Sequence, residues 1–225
     1  MRPETARSHQ KRLAEGKTDM RKGQRTRQEI IRKAAPLFNQ KGYEGTALSD
    51  LMQATGLEKG GIYRHFDSKR ELAGEAFEHA WKLAMATRFE GVEKVPNAVD
   101  RLRQFLRNFR ERRSGLVPGG CPLMNTAIDS DDGNAELRGK ARQALHSWLD
   151  RLQSIVEEGQ RKGEIRSGID AAELATLIVT TLEGSLMVSR LQRKEDPLSL
   201  ACRHLEEYLE AMVRARRSTS AEERL

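Results

Sequence analysis

The stretch TALSDLMQATGLEKGGIYRHF, residues 46–66, decides the fold of this chain. Thr46 is a preferred N-cap residue, and the apolar residues after it repeat at helical spacing until Gly56, a typical helix-ending residue. A further short helix follows from Glu58 to about His65. The stretch therefore predicts two short helices joined by a tight turn that contains glycine. The residues expected to face inward are Leu48, Leu51, Leu57, Ile62 and Phe66.

Two capping boxes predict a helix on either side of this pair. Thr26 with Glu29 opens a first helix, and Ser68 with Glu71 opens a long fourth helix. Pro36 lies inside the first helix, where its missing N–H predicts a kink or a weakened turn. The pattern up to the fourth helix is therefore entirely helical.

Composition and breaker residues divide the chain into four regions. Residues 1–22 are rich in charged residues and nearly free of apolar ones, which predicts a disordered basic arm. We expect a helix-turn-helix domain over 23–70, a larger helical domain over 71–215 and a flexible tail over 216–225. Because every strong signal is helical, the sequence predicts an all-α fold of about nine helices.

The last two helices, about 171–192 and 197–214, differ from the others. The first of them is nearly uncharged in its middle, and its small residues Ala175, Gly184 and Ser185 would let another helix approach closely. The second has apolar residues at alternating steps of four and three, a heptad-like seam. That seam consists of Leu198, Cys202, Leu205, Leu209 and Met212.

The charge balance favours an anionic partner. The chain has 40 Lys and Arg against 33 Asp and Glu, a net charge of +7, which suits nucleic acid or an acidic membrane. No apolar run approaches the roughly 20 residues of a membrane helix, and the first 30 residues lack the apolar core of a secretory signal, so we expect a cytoplasmic protein. Cys121 and Cys202 are far apart and form no metal-binding spacing, so we expect reduced thiols.

Taken together, the motifs between residues 24 and 75 resemble the DNA-binding domain of the tetracycline-repressor (TetR) family. The resemblance rests on Thr46 to Leu51, Ala54 to Leu57, Lys59 to Phe66, Ser68-Lys69 and Leu72. It implies an N-terminal three-helix helix-turn-helix DNA-binding domain followed by a helical ligand-binding and dimerisation domain. It also implies a homodimer, joined through the last two helices, that represses transcription from a pseudo-palindromic operator and is released by a small-molecule effector.

The resemblance and the side-chain chemistry together assign the DNA contacts. Gly60 and Gly61 remove bulk from the recognition helix, so its backbone can lie close to DNA. Lys59 and Arg64 can donate to guanine in the major groove. Contacts to phosphates or the minor groove are expected from Arg25, Arg27, Thr46, Tyr63, His65 and Lys69.

Glu58 departs from the Ser, Thr or Ala that many relatives have at this position. A carboxylate at a helix start that faces DNA repels phosphate. We favour the interpretation that Glu58 stabilises the start of the helix; the alternative is that it accepts a hydrogen bond from a cytosine amino group.

The segment Gly120 to Ala127 resembles an element found in a subset of these regulators. Cys121 would lie at a helix N-terminus, which lowers a thiol pKa, so one hypothesis makes it a sensor of electrophiles or oxidants. The favoured alternative is a small buried residue. The residues expected to line an apolar ligand pocket are Trp81, Met85, Phe105, Phe109, Cys121, Met124, Asn125 and Trp148.

Two other function classes have weaker support. The five histidines form no metalloprotease motif, and the chain has no phosphate-binding glycine loop and no nucleophile elbow, so the sequence predicts no catalytic residue, cofactor or metal site. A basic module that binds RNA or a membrane through the N-terminal arm is the second alternative. Activation instead of repression also remains open at this point.

Overall fold

A computed structural model of the protein describes residues 4–111, 116–130 and 133–215, with side chains from residue 22 onward. These residues form nine α-helices, with a 3₁₀ turn at Val92–Lys94 and a π-helical turn at Leu209–Val213. The helices are α1 (Glu4–Gly45), α2 (Leu48–Thr55), α3 (Lys59–Tyr63), α4 (Lys69–Arg88), α5 (Ala98–Glu111), α6 (Pro122–Asp129), α7 (Ala135–Arg161), α8 (Ala171–Gln192) and α9 (Asp196–Tyr208). The predicted all-α fold is confirmed, and the tail predicted over 216–225 lies outside the described residues.

α1 is longer than the sequence predicts. Its backbone is helical from Glu4, so most of the arm over 1–22 is helix where the composition predicts disorder; residues 1–3 are not among those described. Arg and Lys are frequent in this arm and Ala, Glu and Gln also occur; these residues favour a helix even without a buried face. Thr26 is consequently not a cap, since its hydroxyl donates to the carbonyl of Lys22 at 3.1 Å within the helix.

The helical dihedral angles of α1 break at Gly42. Gly42 has φ 74° and ψ 176°, a non-helical pair inside α1, and glycine adopts a positive φ at little cost. A Cβ atom at this position would also collide with the carboxylate of Asp129. At Pro36, where the sequence predicts a kink or a weakened turn, the dihedral angles stay helical.

A first hydrophobic core joins α1, α2, α3 and α4. Of the five residues expected to face inward, Leu51, Ile62 and Phe66 are buried, while Leu48 and Leu57 pack against the core half-buried. The inward assignment is thus confirmed. The buried members of this core are Ile30, Ile31, Ala34, Ala35, Leu51, Ile62, Phe66, Leu72, Ala76, Ala80 and Val117.

A second, larger core lies between α4 and the helices from α5 to α9. The heptad-like seam of α9 belongs to it, because α9 packs against α5 and α8 of the same chain. Met212 is the exposed member of that seam, at 52%. The seam is therefore an internal packing surface, and little of its apolar area is exposed to a second protein chain. Its buried members are Leu198, Cys202, Leu205 and Leu209.

A hydrogen-bonded joint connects the two cores. Asn125 on α6 donates to the backbone oxygen of Asn39 at 2.9 Å, to its side-chain oxygen at 3.0 Å and to the carbonyl of Gly119 at 3.0 Å. Asp129, the last residue of α6, accepts from the N–H of Tyr43 at 2.7 Å. We call these five residues the joint; they fix α6 against the end of α1.

Within the described part of the chain, α8 is the one helix long and apolar enough to cross a membrane, with a mean hydropathy of 1.4 over its 18-residue window. This corrects the expectation that no such run exists. Length and composition alone are weak evidence, and Leu174, Ile178 and Leu182 on α8 are buried in the second core. The hydropathy of α8 is explained by a core face combined with an apolar outer face.

Candidate nucleic-acid interface and buried polar cluster

α2 and α3 are joined by a short turn that starts at Gly56. Gly56 has φ 72°, and its N–H donates to the carbonyl of Met52, so it ends α2 as predicted. α3 covers Lys59–Tyr63 and is shorter than the predicted span. The two predicted short helices and their tight turn are therefore present.

Glu58 is the N-cap residue of α3. Its backbone carbonyl accepts from the N–H groups of Gly61 at 2.8 Å and Ile62 at 3.2 Å. Its side chain makes no capping hydrogen bond. Glu58 therefore lies at the start of the helix, as the favoured interpretation requires. Its exposed carboxylate can stabilise the helix only through its charge near the positive end of the helix dipole.

Thr46 does not cap α2. Its side chain is fully buried, and its hydroxyl donates to the carbonyl of Gly42 at 2.7 Å. The N-cap is Ala47, whose N–H donates to the carboxylate of Asp50 at 3.0 Å. Lys41 and this N–H together lower the pKa of Asp50. The predicted cap is wrong because Asp50 satisfies the helix start, and burial removes the Thr46 hydroxyl from any outside partner.

The outer face of α3 has positively charged side chains next to two glycines that have no side chain. Exposed on it are Lys59, Gly60 and Arg64, and half-buried beside them are Gly61, Tyr63 and His65. A Cβ atom at Gly60 would meet nothing within 4 Å, and one at Gly61 would lie 3.4 Å from the Cβ of Leu57. Among the described residues, therefore, no contact requires glycine at Gly60.

The two arginines ahead of this motif differ in their surroundings. Arg25 is exposed on α1. Arg27 pairs with Glu71 at 2.6 Å and with Glu75, and its guanidinium carbon lies 4.3 Å from the ring centroid of Phe66. Arg27 thus binds α1 to α4, and two carboxylates already compensate its charge. This arrangement opposes the predicted DNA contact of Arg27.

The start of α4 follows its predicted capping box in part. Ser68 is the N-cap and accepts from the N–H of Glu71 at 3.1 Å, while the Glu71 carboxylate reaches the N–H of Asp67 at 2.6 Å. The ammonium of Lys69 lies 4.4 Å from the ring centroid of Tyr43, a cation–π contact. Lys69 is therefore held beside the helix-turn-helix.

Four of the predicted pocket residues form an aromatic cluster in the second core. The ring centroid of Trp148 lies 5.6 Å from that of Trp81, 6.2 Å from that of Phe105 and 6.1 Å from that of Phe109. Packed against the same core are Met85 and Met124. Asn125 makes its hydrogen bonds within the joint.

Arg88, the last residue of α4, lies among these rings. Its guanidinium carbon is 4.5 Å from the ring centroid of Trp148 and 4.6 Å from that of Phe109. Its Nη2 donates to the Sγ of Cys121 at 3.3 Å and to Oε1 of Glu183 at 3.4 Å. We call Arg88, Cys121, Trp148 and Glu183 the buried polar cluster.

Three atoms of the buried polar cluster find no hydrogen-bond partner among the described residues: Nη1 of Arg88, Nε1 of Trp148 and Oε2 of Glu183. The side chains of Arg88 and Glu183 are only 10% and 14% exposed. An unsatisfied buried polar group costs about 1–3 kcal/mol, and native proteins pair nearly all such groups. Three in one place make this cluster the part of the core best suited to receive a polar molecule.

Arg88 and Glu183 were not singled out as site residues from the sequence, although the sequence contains an indication for each of them. Arg88 follows Trp81 by seven residues, which places both on the same face of α4. Glu183 is the single charged residue between Leu174 and Ser189 in α8. A lone charge in a long apolar helix usually has a buried partner or a functional role.

Cys121 is the N-cap residue of α6, at the helix N-terminus predicted for it. It is 1% exposed, and burial raises the pKa of its thiol to about 11, against a smaller opposing effect from Arg88. Because the thiolate is the reactive form, this environment opposes the electrophile-sensor hypothesis. It agrees with the favoured alternative of a small buried residue.

Metal ligands are not grouped in this protein as far as it is described. Among the side chains described, those of residues 22–111, 116–130 and 133–215, no set of three or more His, Cys, Asp or Glu could hold a metal ion. The polar chemistry of the second core is therefore that of hydrogen bonds and ion pairs.

Comparisons with known proteins match both cores. The family model described as "Bacterial regulatory proteins, tetR family" matches residues 30–76. The model described as "Tetracyclin repressor-like, C-terminal domain" matches residues 98–205. The first match contains α2 and α3 with their turn, and the second contains most of the second core.

Similar proteins of known structure and function include transcription regulators from several bacteria. A TetR regulator from Chloroflexus aurantiacus J-10-FL is 44% identical, covers 87% of this chain and all of its own (100%), and superposes with a TM-score of 0.83. A TetR-family regulator from Cytophaga hutchinsonii is 33% identical, with 87% and 98% of the chains covered and a TM-score of 0.81. The transcriptional repressor DhaR of Mycobacterium sp. strain GP1 is 26% identical over 76% of this chain and 86% of its own.

These matches, together with the helix-turn-helix of α2 and α3 and the all-α fold, identify the class of the protein. The family consists of DNA-binding regulators of transcription and not of enzymes. The chain belongs to the TetR family of transcriptional regulators.

Proposed function

We propose that this regulator is a homodimeric repressor that binds a pseudo-palindromic operator in the bacterial cytoplasm and leaves it when a small molecule binds the second core. The observation that supports this most directly is the course of α4. The helix starts at Lys69, beside α3, and ends at Arg88, in the buried polar cluster. One helix of 20 residues thus connects the proposed DNA-binding surface with the buried polar cluster.

The DNA surface is the outer face of α3. Lys59 and Arg64 are exposed there and donate to guanine edges in the major groove. Tyr63, His65 and Lys69 hold the register through phosphates. Gly60 lets the backbone approach the duplex, because no side chain projects from it.

The outer face of α8 supports dimerisation. Leu177, Met187 and Leu191 are 43%, 43% and 78% exposed, and they lie on one stripe of this helix at spacings of ten and four. Gly184 lies on the same stripe, where a Cβ atom would meet nothing within 4 Å, so a second helix can come close. Exposed apolar stripes of this kind mark association surfaces. A two-fold dimer through α8 presents two copies of α3 to two half-sites, roughly 34 Å apart or a multiple of that.

Mobility shifts at physiological salt test the operator. The probe is DNA from upstream of the gene, and scrambled DNA of equal length is the comparison. We expect a specificity ratio of about a thousandfold or more. Arg64→Ala should weaken specific binding about 5- to 150-fold, while Arg142→Ala, an exposed arginine on α7, should leave it unchanged.

Equal affinity for both DNAs, with a steep dependence on salt, would mean sequence-blind binding and would overturn the repressor proposal. The dimer is tested separately by sedimentation. Leu191→Glu should yield monomers and abolish operator binding, whereas a variant that stays dimeric would place the interface elsewhere.

A further inference from the structure

The charge balance of the buried polar cluster restricts the kind of molecule that it can hold. Nη2 of Arg88 and Oε1 of Glu183 are 3.4 Å apart, and the two side chains carry opposite formal charges. The pair is therefore neutral before any ligand arrives. A charged ligand would leave one charge uncompensated among aromatic rings, which is strongly unfavourable.

The unpartnered atoms define the hydrogen bonds that a ligand must make. Nη1 of Arg88 and Nε1 of Trp148 are donors without an acceptor among the described residues. Oε2 of Glu183 has no donor there in hydrogen-bond geometry, although the Cys121 thiol also interacts with this carboxylate. A hydroxyl group meets both needs, because its oxygen accepts while its hydrogen is donated. A carboxylate could satisfy only the donors, and an ammonium group only the acceptor.

The rings around Arg88 favour a flat body for the ligand. Its guanidinium carbon lies 4.5 Å from the ring centroid of Trp148, 4.6 Å from that of Phe109 and 5.5 Å from that of Trp81. These rings already stack on one planar group, the guanidinium. Aromatic rings pack well in offset or edge-on contact at such distances.

We infer that the buried polar cluster binds a small neutral aromatic hydroxy compound of the phenol class. The hydroxyl oxygen accepts from Arg88 or Trp148, and the hydroxyl hydrogen is donated to Glu183. This inference rests on the proposed function, since it names the chemical class of the effector.

Four single-ring probes separate this class from its alternatives: phenol, benzoate, benzyltrimethylammonium and toluene. Each is titrated at pH 7, without DNA, against the full chain, with tryptophan fluorescence and the melting temperature as readouts. Phenol has a pKa of about 10, like tyrosine, and is neutral at this pH. We expect phenol to bind at least about tenfold more tightly than the other three, which is the effect of one hydrogen bond to a charged group. Tighter binding of benzoate or of the ammonium probe, or no preference for phenol over toluene, would overturn the inference.

Charge variants sharpen the test. Glu183→Gln leaves the cluster with a net positive charge, so benzoate should become the preferred probe; Arg88→Gln leaves it negative, so benzyltrimethylammonium should gain. The matched control is Arg151→Gln, because Arg151 also stacks on a ring, that of Phe89 at 3.7 Å, but is 41% exposed. The control should keep the wild-type order.

Circular dichroism establishes that each variant is folded. Folded charge variants that keep the wild-type order would contradict the charge argument, and the wild-type order tests the inference even if a variant fails to fold. Because binding is measured without DNA, this result is independent of operator binding. If phenol binds but does not release operator DNA, the inferred binding site stands and the proposed release of DNA by an effector at this site is refuted.

Discussion

Replacing Gly60 by alanine should stabilise the protein and at the same time weaken its binding to operator DNA. Gly60 lies in α3, and an added Cβ atom there would meet nothing within 4 Å. Alanine in a helix is favoured over glycine by about 0.5–1 kcal/mol. For a chain of this size the melting temperature should rise by about 1–4 °C.

The loss of DNA affinity has a separate cause. If the backbone of α3 lies against the duplex, a methyl group at Gly60 overfills a packed interface, at a cost of about 1–3 kcal/mol. This corresponds to roughly 5- to 150-fold weaker binding. Fluorescence anisotropy with labelled operator measures the affinity, and differential scanning calorimetry measures the stability.

The control for Gly60→Ala is Gly139→Ala in α7. A Cβ atom at Gly139 would also meet nothing within 4 Å, and the residue is remote from α3 in sequence. This variant should gain similar stability and keep full affinity for DNA. If Gly60→Ala binds operator as tightly as the wild type, the close approach of the α3 backbone to DNA is refuted.

Three further variants probe the packing described above. Gly159→Ala, also in α7, should lower the free energy of unfolding by about 1–3 kcal/mol, because the added Cβ would lie 2.6 Å from that of Ala98; a stabilised variant would contradict this packing. Asn125→Ala removes the hydrogen bonds of the joint to Asn39, so calorimetry should show a loss of about 2–4 kcal/mol, and an unchanged melting temperature would argue against the joint. The thiol of Cys121 has its pKa raised to about 11 from an ordinary 9.0, so its contribution is present below pH 9 and is lost as the pH rises towards 11. Denaturation with urea should therefore show the stability difference between wild type and Cys121→Ala shrinking by about 2–3 kcal/mol over that range, and a constant difference would exclude the raised pKa.

The fold could be predicted from the sequence where signals are local and repeated. Apolar spacing placed Leu51, Ile62 and Phe66 in the first core, and Gly56 at the end of α2. The burial of these residues follows from the spacing of apolar residues along one face of a helix, and the helix end follows from the backbone freedom of glycine. Both features can be read from the order of residues in the sequence. The same locality made the Ser68 cap predictable.

Predictions failed where several groups competed for one role. Thr46 and Asp50 are both able to start α2, and the carboxylate of Asp50 does so while Thr46 is buried. The partners that compensate the charge of Arg27 were also missed, because they lie 44 and 48 residues away in α4. Such outcomes depend on tertiary contacts that spacing does not encode.

The candidate ligand site was predictable only in its apolar part. The aromatic residues follow helix stripes, so their convergence around Trp148 could be expected. Arg88 and Glu183 meet through their side chains across the second core, at a separation of 95 residues in sequence. Asn125 was assigned to the pocket, but its amide reaches Asn39 instead, at a separation of 86 residues.

The first core has a consequence for engineering. It includes Ala76 and Ala80 from the middle of α4, and Val117 from the segment that leads into α6. A fragment cut at residue 70 would lack all three and would expose the apolar side of α1. The helix-turn-helix region is therefore not expected to fold when it is cut from the chain at residue 70. If the outer face of α3 reads the operator as proposed, hybrid regulators with a new specificity should be built by exchanging that face within the intact chain.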